Sequence, residues 1–314
     1  MAASGGTKAI LAALFANTGL AITKFIAFLL TGSSAMLAES VHSVADSSNQ
    51  ALLLYGGKRA KREETPRHPF GYSRARYYYA FLVAVVLFAV GGLYSLYESS
   101  HKFQHPEPIT SWQWVPVTVL IVGIILESFS LRTAIVESNA VRGSQSWTNF
   151  VRRSRSPELP VILLEDIGAL LGLVFALIGV SLTLITGNGI WDAVGTAAIG
   201  VLLVVISIVL GIETKSLLMG ESATPEDVDK IEEALAEHGF EDVIGMRTMH
   251  LGPEDVLVVA KVAGEPDAKV SEMSARINAA EDAVREAVPT ARLIYLEVDV
   301  RKKTSKKSRK KARK

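Results

Sequence analysis

The sequence predicts an α-helical membrane protein in which six transmembrane helices are followed by a small cytoplasmic α+β domain. Apolar residues make up 49% of the 314 residues and are gathered in long runs. A helix needs about 20 such residues to cross the hydrocarbon core of a bilayer. After Gly220 the long runs stop, and the shorter periodicities of a soluble domain begin. We therefore predict a transmembrane domain at 1–220, a cytoplasmic domain at 221–300 and a disordered basic tail at 301–314.

Five of the six predicted spans are strongly apolar. They lie at about 7–31, 77–98, 113–136, 160–186 and 189–212. The first is too long for the core of a signal peptide and has no convincing cleavage site, so we expect it to be retained as a helix. Tyr77, Trp112 and Trp191 fall near the ends of spans, where aromatic side chains favour the membrane interface.

The second span, residues 33–57, is more polar and is predicted mainly from the charges of the loops. Basic residues follow the second and fourth spans: Lys58, Arg59, Lys61, Arg62 and Arg67 in one loop, and Arg142, Arg152, Arg153 and Arg155 in the other. The opposite connections carry almost none. By the positive-inside rule, both basic loops and both termini are cytoplasmic. Without the second span, basic loops would fall on both sides of the membrane.

The region 221–300 has the pattern of a soluble domain. Thr224 and Pro225 form an N-cap and first turn before an amphipathic helix. Strand patterns follow at 241–251 and 255–263, then a helix at 267–288 and a strand at 291–300. The order αββαβ predicts a ferredoxin-like α+β domain with its helices on one face of a sheet.

The last fourteen residues, 301–314, carry ten Lys and Arg residues and no acid. Because the net charge of the chain is +1, the remaining residues sum to −9. A segment of this composition cannot build a core, so we predict that it is disordered. We expect it either to stay solvated or to contact anionic membrane lipid; nucleic acid is not expected as a partner. The chain has no cysteine, which excludes disulfides and thiolate metal sites.

The second span carries polar side chains that a lipid-facing helix would not. Positions 39, 42, 46 and 49 fall on one helical face, with His42 and Asp46 one turn apart. Ionisable side chains inside a membrane usually face a protein interior or a water-filled path. An imidazole and a carboxylate at i and i+4 can hold one divalent cation from a single helix. The alternative is that both side chains only bond a neighbouring helix.

The fifth span contains two further acids, Glu165 and Asp166. Together with His42 and Asp46 they would form a mixed nitrogen and oxygen ligand set suited to Zn²⁺ or a neighbouring divalent ion. Asp166 lies nearer the cytoplasmic end of its span than Asp46 does of its own. Glu127 and Asn17 are expected to form hydrogen bonds between helices. Lys24 is expected either to snorkel to the membrane surface or to pair with the buried acids.

Four segments of this sequence resemble the cation diffusion facilitator family. They are GSSAMLAESVHSVADSSNQ in the second span, RHPFGYSRARYYY before the third, EDIGALLG in the fifth and GIWDAVGTAAIG in the sixth. The αββαβ pattern of the C-terminal domain is also similar to that family, so the resemblance covers about residues 7 to 300. Within the family, ADSSNQ and LLED are most similar to the zinc-transporter-9-like branch.

The resemblance implies a homodimer that exchanges Zn²⁺, Mn²⁺, Fe²⁺ or related cations for protons across a membrane. His42 and Asp46 match the family's second-helix metal ligands, and Asp166 matches the acid of its fifth-helix pair. The partner of that acid is usually a histidine one turn earlier, where this chain has Ile162. The fourth ligand is therefore open: Glu165 is the first candidate, followed by Glu39 or water.

At the other positions where members of the family bind metal, this chain has few metal-binding side chains. His68 matches a ligand in the loop before the third helix, but Tyr72 stands where a second histidine often occurs, so we expect a structural role for His68. In the C-terminal domain only His238 and His250 remain. We therefore expect that domain to dimerise without metal.

The resulting hypothesis is a dimeric, proton-coupled antiporter that exports divalent transition metals from the cytoplasm. Zn²⁺ is the first expected cargo, with Mn²⁺, Fe²⁺, Co²⁺ and Cd²⁺ as alternatives, and no cofactor is expected. The protein would be a multi-pass protein of the cell (inner) membrane and not an enzyme. One alternative is a non-transporting membrane scaffold whose cytoplasmic domain recruits partners. Another is a membrane-embedded metallohydrolase, for which the sequence offers no substrate-pocket or oxyanion motif.

Overall fold

A computed structural model describes the backbone of residues 3–300 and the side chains of residues 17–300. It divides into two compact units, Met1–Leu218 and Met219–Lys314, here called the membrane unit and the C-terminal unit. The predicted basic tail at 301–314 lies outside the described residues.

In the part of the chain that the structure describes, the membrane unit contains six long helices and one short helix. The long helices are α1 (Ala3–Thr31), α2 (Ser34–Ala60), α3 (Ala75–Gln104), α4 (Trp114–Arg142), α6 (Glu158–Thr186) and α7 (Ile190–Met219). Within the described residues, α3, α4, α6 and α7 are long and apolar enough to cross a membrane, and α1 contributes the apolar stretch Asn17–Thr31. The chain is therefore an integral membrane protein.

The short helix α5 (Trp147–Arg153) was not predicted from the sequence. Ser146 caps it, because its hydroxyl accepts a hydrogen bond from the backbone N–H of Asn149. The buried ring of Phe150 packs in a small apolar cluster with Ala134 of α4 and Leu163 of α6. The basic loop after α4 thus contains an ordered segment that packs on the membrane unit.

Helix α3 contains a π-helical turn at Leu87–Leu93, which includes Gly91 and Gly92. The two glycines allow a close approach to α7: a Cβ at Gly92 would lie 3.1 Å from the backbone nitrogen of Val204. The core around this contact is apolar and fully buried, and Leu87, Leu173 and Leu203 belong to it. Single π-helical turns inside α-helices are frequent at functional sites.

The N-terminus of α2 is held by Asp192 in the first turn of α7. The carboxylate of Asp192 accepts hydrogen bonds from the Ser33 hydroxyl at 2.7 Å and from the Ser34 backbone N–H at 2.7 Å. The Ser34 hydroxyl donates a third bond at 3.0 Å. A negative charge is favourable at this end of a helix, where backbone N–H groups lack intrahelical partners. These contacts fix the position of α2 and hence of its polar face.

The C-terminal unit has the predicted αββαβ order. Its elements are α8 (Pro225–Glu237), β1 (Val243–Gly252), β2 (Asp255–Ala263), α9 (Val270–Ala287) and β3 (Leu293–Asp299). The sheet order is β1-β2-β3, with β1 and β2 antiparallel and β2 and β3 parallel. The fold class is therefore confirmed: a helical membrane unit followed by a small α+β unit.

The core of the C-terminal unit lies between the two helices and one face of the sheet. Val256, Val258, Ala260 and Val262 alternate along β2 and are all buried, which is the period-2 pattern of a strand with one covered face. They pack in one cluster with apolar residues of α8 and α9: Ile231, Leu235, Ala280 and Val284. The helices therefore cover one face of the sheet, as the sequence pattern predicts.

Candidate metal site

Helix α2 presents a buried polar face to the interior of the membrane unit. Glu39, His42 and Asn49 are completely buried, and the side chain of Asp46 is 13% exposed. His42 Nδ1 lies 3.5 Å from Asp46 Oδ1. Within the described residues, both ring nitrogens of His42 and Oδ1 of Asp46 lack a hydrogen-bond partner. These are the atoms that could ligate a cation or take up protons.

Glu165 of α6 faces this polar surface. The side-chain amide of Asn49 donates a 2.7 Å hydrogen bond to Glu165 Oε1, and Glu165 is almost fully buried. Asn49 lies three residues beyond Asp46, towards the C-terminal end of α2. Glu165 therefore meets α2 about one turn beyond Asp46.

Asp166 faces a different helix. Its Oδ2 accepts a 2.9 Å hydrogen bond from the Ser130 hydroxyl of α4, and the residue is half-buried. Consecutive residues of an α-helix point about 100° apart, so Glu165 and Asp166 meet different neighbours. Among the residues that the structure describes, no group of three or more metal-capable side chains comes together. His42 and Asp46 are close together, Glu165 approaches their helix, and Asp166 lies on the α4 side.

Ile162, where the family pattern has histidine, lies on the same side of α6 as Asp166. It packs against the apolar cluster of Ala134, Phe150 and Leu163. Positions 162 and 166 are four residues apart, so they differ by only about 40° around the helix. Any ligand added at position 162 would therefore act with Asp166 rather than with Glu165.

Two glycines leave room beside the polar face of α2. A Cβ at Gly172 of α6 would lie 2.7 Å from Glu39 Oε1, a distance that side chains do not tolerate. A Cβ at Gly91, in the π-helical turn of α3, would lie 3.9 Å from His42 Nδ1. Glycine at position 172 lets α6 approach Glu39 closely, whereas 3.9 Å at Gly91 is an ordinary van der Waals contact with His42.

Lys24 of α1 completes the polar interior. Its side chain is 1% exposed, and its ammonium donates to Glu39 Oε2 at 2.9 Å and to the Ser43 hydroxyl at 2.8 Å. Lys24 therefore does not snorkel to the membrane surface, and its partner is Glu39 of α2. The sequence does not reveal this pairing, because the two residues lie on different helices.

The other histidines singled out from the sequence make local contacts. The ring of His68 packs on that of Tyr72, with centroids 4.5 Å apart. His238 Nδ1 is 3.0 Å from the Ala234 carbonyl oxygen, and His250 Nδ1 is 3.2 Å from the Gly252 carbonyl oxygen. The contact with Tyr72 is consistent with the structural role expected for His68.

Six long helices that enclose a buried polar face define this protein as a polytopic membrane protein. Residues 10–219 match the family model described as the cation efflux transmembrane domain. Because this match covers more than half of the chain, the protein belongs to the cation efflux, or cation diffusion facilitator, family. Membership confirms the family resemblance and the prediction that the chain is not an enzyme.

Several curated relatives are similar to this chain. The mitochondrial proton-coupled zinc antiporter SLC30A9 of Homo sapiens is 35% identical over 233 residues, which cover 74% of this chain and 41% of that protein. Metal tolerance protein C4 of Arabidopsis thaliana is 29% identical over 226 residues, covering 71% and 49%. The magnetosome protein MamB of Magnetospira is 26% identical over 261 residues, covering 83% of both chains. The chain thus spans about two fifths of the length of the human antiporter. These similarities confirm the predicted resemblance to the zinc-transporter-9-like branch of the family.

Proposed function

We propose that this protein exports divalent transition-metal cations from the cytoplasm in exchange for protons, with Zn²⁺ as the first cargo. The observation that carries the proposal is the buried face of α2, where His42 and Asp46 hold ligating atoms without partners among the described residues. An unpaired polar group in a membrane interior is costly and usually marks an ion or proton path. The human relative at 35% identity is named a proton-coupled zinc antiporter, which supports both the cargo and the coupling.

The proposed ligands are His42 and Asp46 of α2 and Glu165 and Asp166 of α6. Glu165 already faces α2 through Asn49, whereas Asp166 bonds Ser130 of α4. Closing a four-ligand site therefore requires movement of α6 relative to α2. Relative movement of helix groups around a central site is how secondary transporters expose it to each side of the membrane in turn.

Proton coupling follows from the chemistry of the ligands. Carboxylates and imidazole bind metal only when deprotonated, so metal entry releases protons and proton entry releases metal. An inward proton gradient then drives metal outward without any covalent step.

The test is metal flux in proteoliposomes with an imposed pH gradient. The wild-type protein should accumulate Zn²⁺ in the acidic lumen, and Asp46→Ala should abolish this. Ser48→Ala is the matched control, because Ser48 is exposed on α2 and its hydroxyl bonds the Val44 carbonyl of its own helix. A wild-type protein that gives no metal flux would favour the scaffold hypothesis instead.

We further propose that the transporter is a homodimer of the cell (inner) membrane with both termini in the cytoplasm. The chain contains no cysteine, so single cysteines can report orientation directly. Lys61→Cys, after α2, should react with an impermeant maleimide only from the cytoplasmic side. Glu107→Cys, between α3 and α4, should react only from the opposite side. The reverse pattern would contradict the orientation derived from the loop charges.

A further inference from the structure

A buried ion pair, Lys24 and Glu39, lies beside the proposed metal site and is not part of the proposed ligand set. Glu39 lies three residues before His42 on the polar face of α2, and Lys24 of α1 holds its Oε2 at 2.9 Å. Both side chains are almost completely buried. The second oxygen, Oε1, has no hydrogen-bond partner among the described residues and points towards Gly172 of α6. Glu39 is thus a second carboxylate on α2 besides Asp46, about one turn from the imidazole.

The position of Glu39 suits it for metal ligation if Lys24 is removed. Residues three apart on a helix are neighbours, so Glu39 and His42 can reach a common point beside α2. The absence of a side chain at Gly172 makes room for Oε1 on this side of α2, because a Cβ at that position would lie 2.7 Å from it. With Lys24 present, its ammonium holds the carboxylate on the α1 side and is itself held by a second bond to the Ser43 hydroxyl.

We propose that Lys24 is a specificity-determining residue that keeps the carboxylate of Glu39 out of the metal site. The inference rests on the proposed transport function. A site that includes His42 with few carboxylates favours Zn²⁺, whereas each added carboxylate favours ions that prefer oxygen ligands, such as Mn²⁺. By pairing with Glu39, the ammonium of Lys24 therefore limits the number of carboxylate oxygens that can bind the metal beside the His42 imidazole.

A purely structural role for the pair would have a different signature. If Lys24 only joined α1 to α2, its loss would lower stability and weaken the binding of all metals alike. A role in selectivity changes the ratio of Zn²⁺ to Mn²⁺ affinity. Glu39 must also be present for this change, because it is the acid that Lys24 releases.

The main experiment compares the full-length wild-type protein with Lys24→Met and with Lys24→Met/Glu39→Gln, each purified in detergent. Zn²⁺ and Mn²⁺ affinities are measured by competition with a metal-sensitive dye. Lys24→Met should lower the Zn²⁺/Mn²⁺ affinity ratio about tenfold, or about 1.4 kcal/mol. The double variant should restore the wild-type ratio, and Lys24→Arg should keep it. An unchanged ratio in folded Lys24→Met, or a lowered ratio that persists in the double variant, would overturn the proposal.

A milder pair of variants keeps the test decisive if Lys24→Met does not fold, because removing one member of a buried ion pair is strongly destabilising. Ser43→Ala removes one of the two bonds that hold the ammonium. Ser40→Ala is its control, because the Ser40 hydroxyl bonds the Leu37 carbonyl of its own helix. Ser43→Ala should lower the ratio about threefold, as expected for one hydrogen bond, and Ser40→Ala should not. Equal ratios in the two variants would overturn the proposal, whereas wild-type protein without metal flux would refute the proposed function instead.

Discussion

Asp192 is the residue whose replacement should most clearly disturb the framework of the site. Its carboxylate accepts bonds from the Ser33 hydroxyl, the Ser34 backbone N–H and the Ser34 hydroxyl, and a longer one of 3.4 Å from the Ala35 N–H. The hydroxyls have other contacts: Ser34 Oγ lies 3.1 Å from Thr196 Oγ1, and Ser33 Oγ accepts from the Met36 N–H. The Ser34 N–H, at the buried N-terminus of α2, depends most on Asp192.

The expected cost of Asp192→Ala is therefore mainly that of the buried Ser34 N–H left unsatisfied and of one lost charge-assisted interaction, not of four independent bonds, since the Ala35 bond is long. Such a loss is about 3 kcal/mol. For a unit of about 200 residues this corresponds to a fall of roughly 6–12 °C in the unfolding temperature. Asp192→Asn keeps an acceptor oxygen and should cost about half as much.

The assay is thermal unfolding of the purified protein in detergent, followed by tryptophan fluorescence, with metal affinity measured on the same samples. Asp229→Asn is the control, because Asp229 is exposed on α8, where substitutions change the free energy of unfolding by less than about 0.5 kcal/mol. Asp192→Ala should also weaken metal binding, since α2 carries the proposed ligands His42 and Asp46. If Asp192→Ala is no more destabilising than Asp229→Asn, α2 is not held by this carboxylate.

Four further predictions concern the proposed site, the tail and the C-terminal unit. Asp46→Ala and Asp166→Ala should each abolish metal-dependent proton flux while leaving a folded dimer; wild-type flux in either variant would remove that residue from the site. Ile162→His should tighten Zn²⁺ relative to Mn²⁺ about tenfold, or about 1.4 kcal/mol, and an unmoved ratio would mean that position 162 never faces the metal. Deletion of 301–314 should leave flux within about threefold, because lipid contacts contribute up to about 1 kcal/mol per basic residue but do not form the site; complete loss would show that the tail is essential. The fragment 221–300 should sediment as a dimer without metal, and dimerisation only after addition of Zn²⁺ would reveal an overlooked site.

The architecture can be predicted from the sequence because the spans of a membrane protein are set by local properties of the chain. Apolar length identifies most spans, and loop charge identifies α2, although its own composition is too polar. The αββαβ order follows from periodicity alone. Helix α5 was not predicted, because a helix of seven residues in a basic loop is too short to show a clear helical periodicity. Its one local sign is Ser146, which is an N-cap residue.

The arrangement of the site was less predictable because it depends on rotations between helices. The sequence places Glu165 and Asp166 side by side, yet one faces Asn49 of α2 and the other Ser130 of α4. The ion pair of Lys24 and Glu39 joins two helices. Helical periodicity specifies which residues share a face but not which neighbour that face meets. The π-helical turn that brings Gly91 beside His42 has no reliable sequence pattern either.

The contacts of α2 distinguish the residues that hold this helix in place from the proposed metal ligands. Asp192 of α7 holds its N-terminus, Lys24 of α1 pairs with Glu39, and Glu165 of α6 accepts from Asn49. His42 and Asp46 lie between these anchors, and among the described residues the 3.5 Å approach between them is the one polar contact found for either. Each buried polar group without a partner costs about 1–3 kcal/mol. A protein that fixes α2 through three other helices yet leaves these two side chains unsatisfied keeps their ligating atoms available. Binding a cation or protons at the proposed site would then require no rearrangement of α2 itself, and movement could be confined to α6.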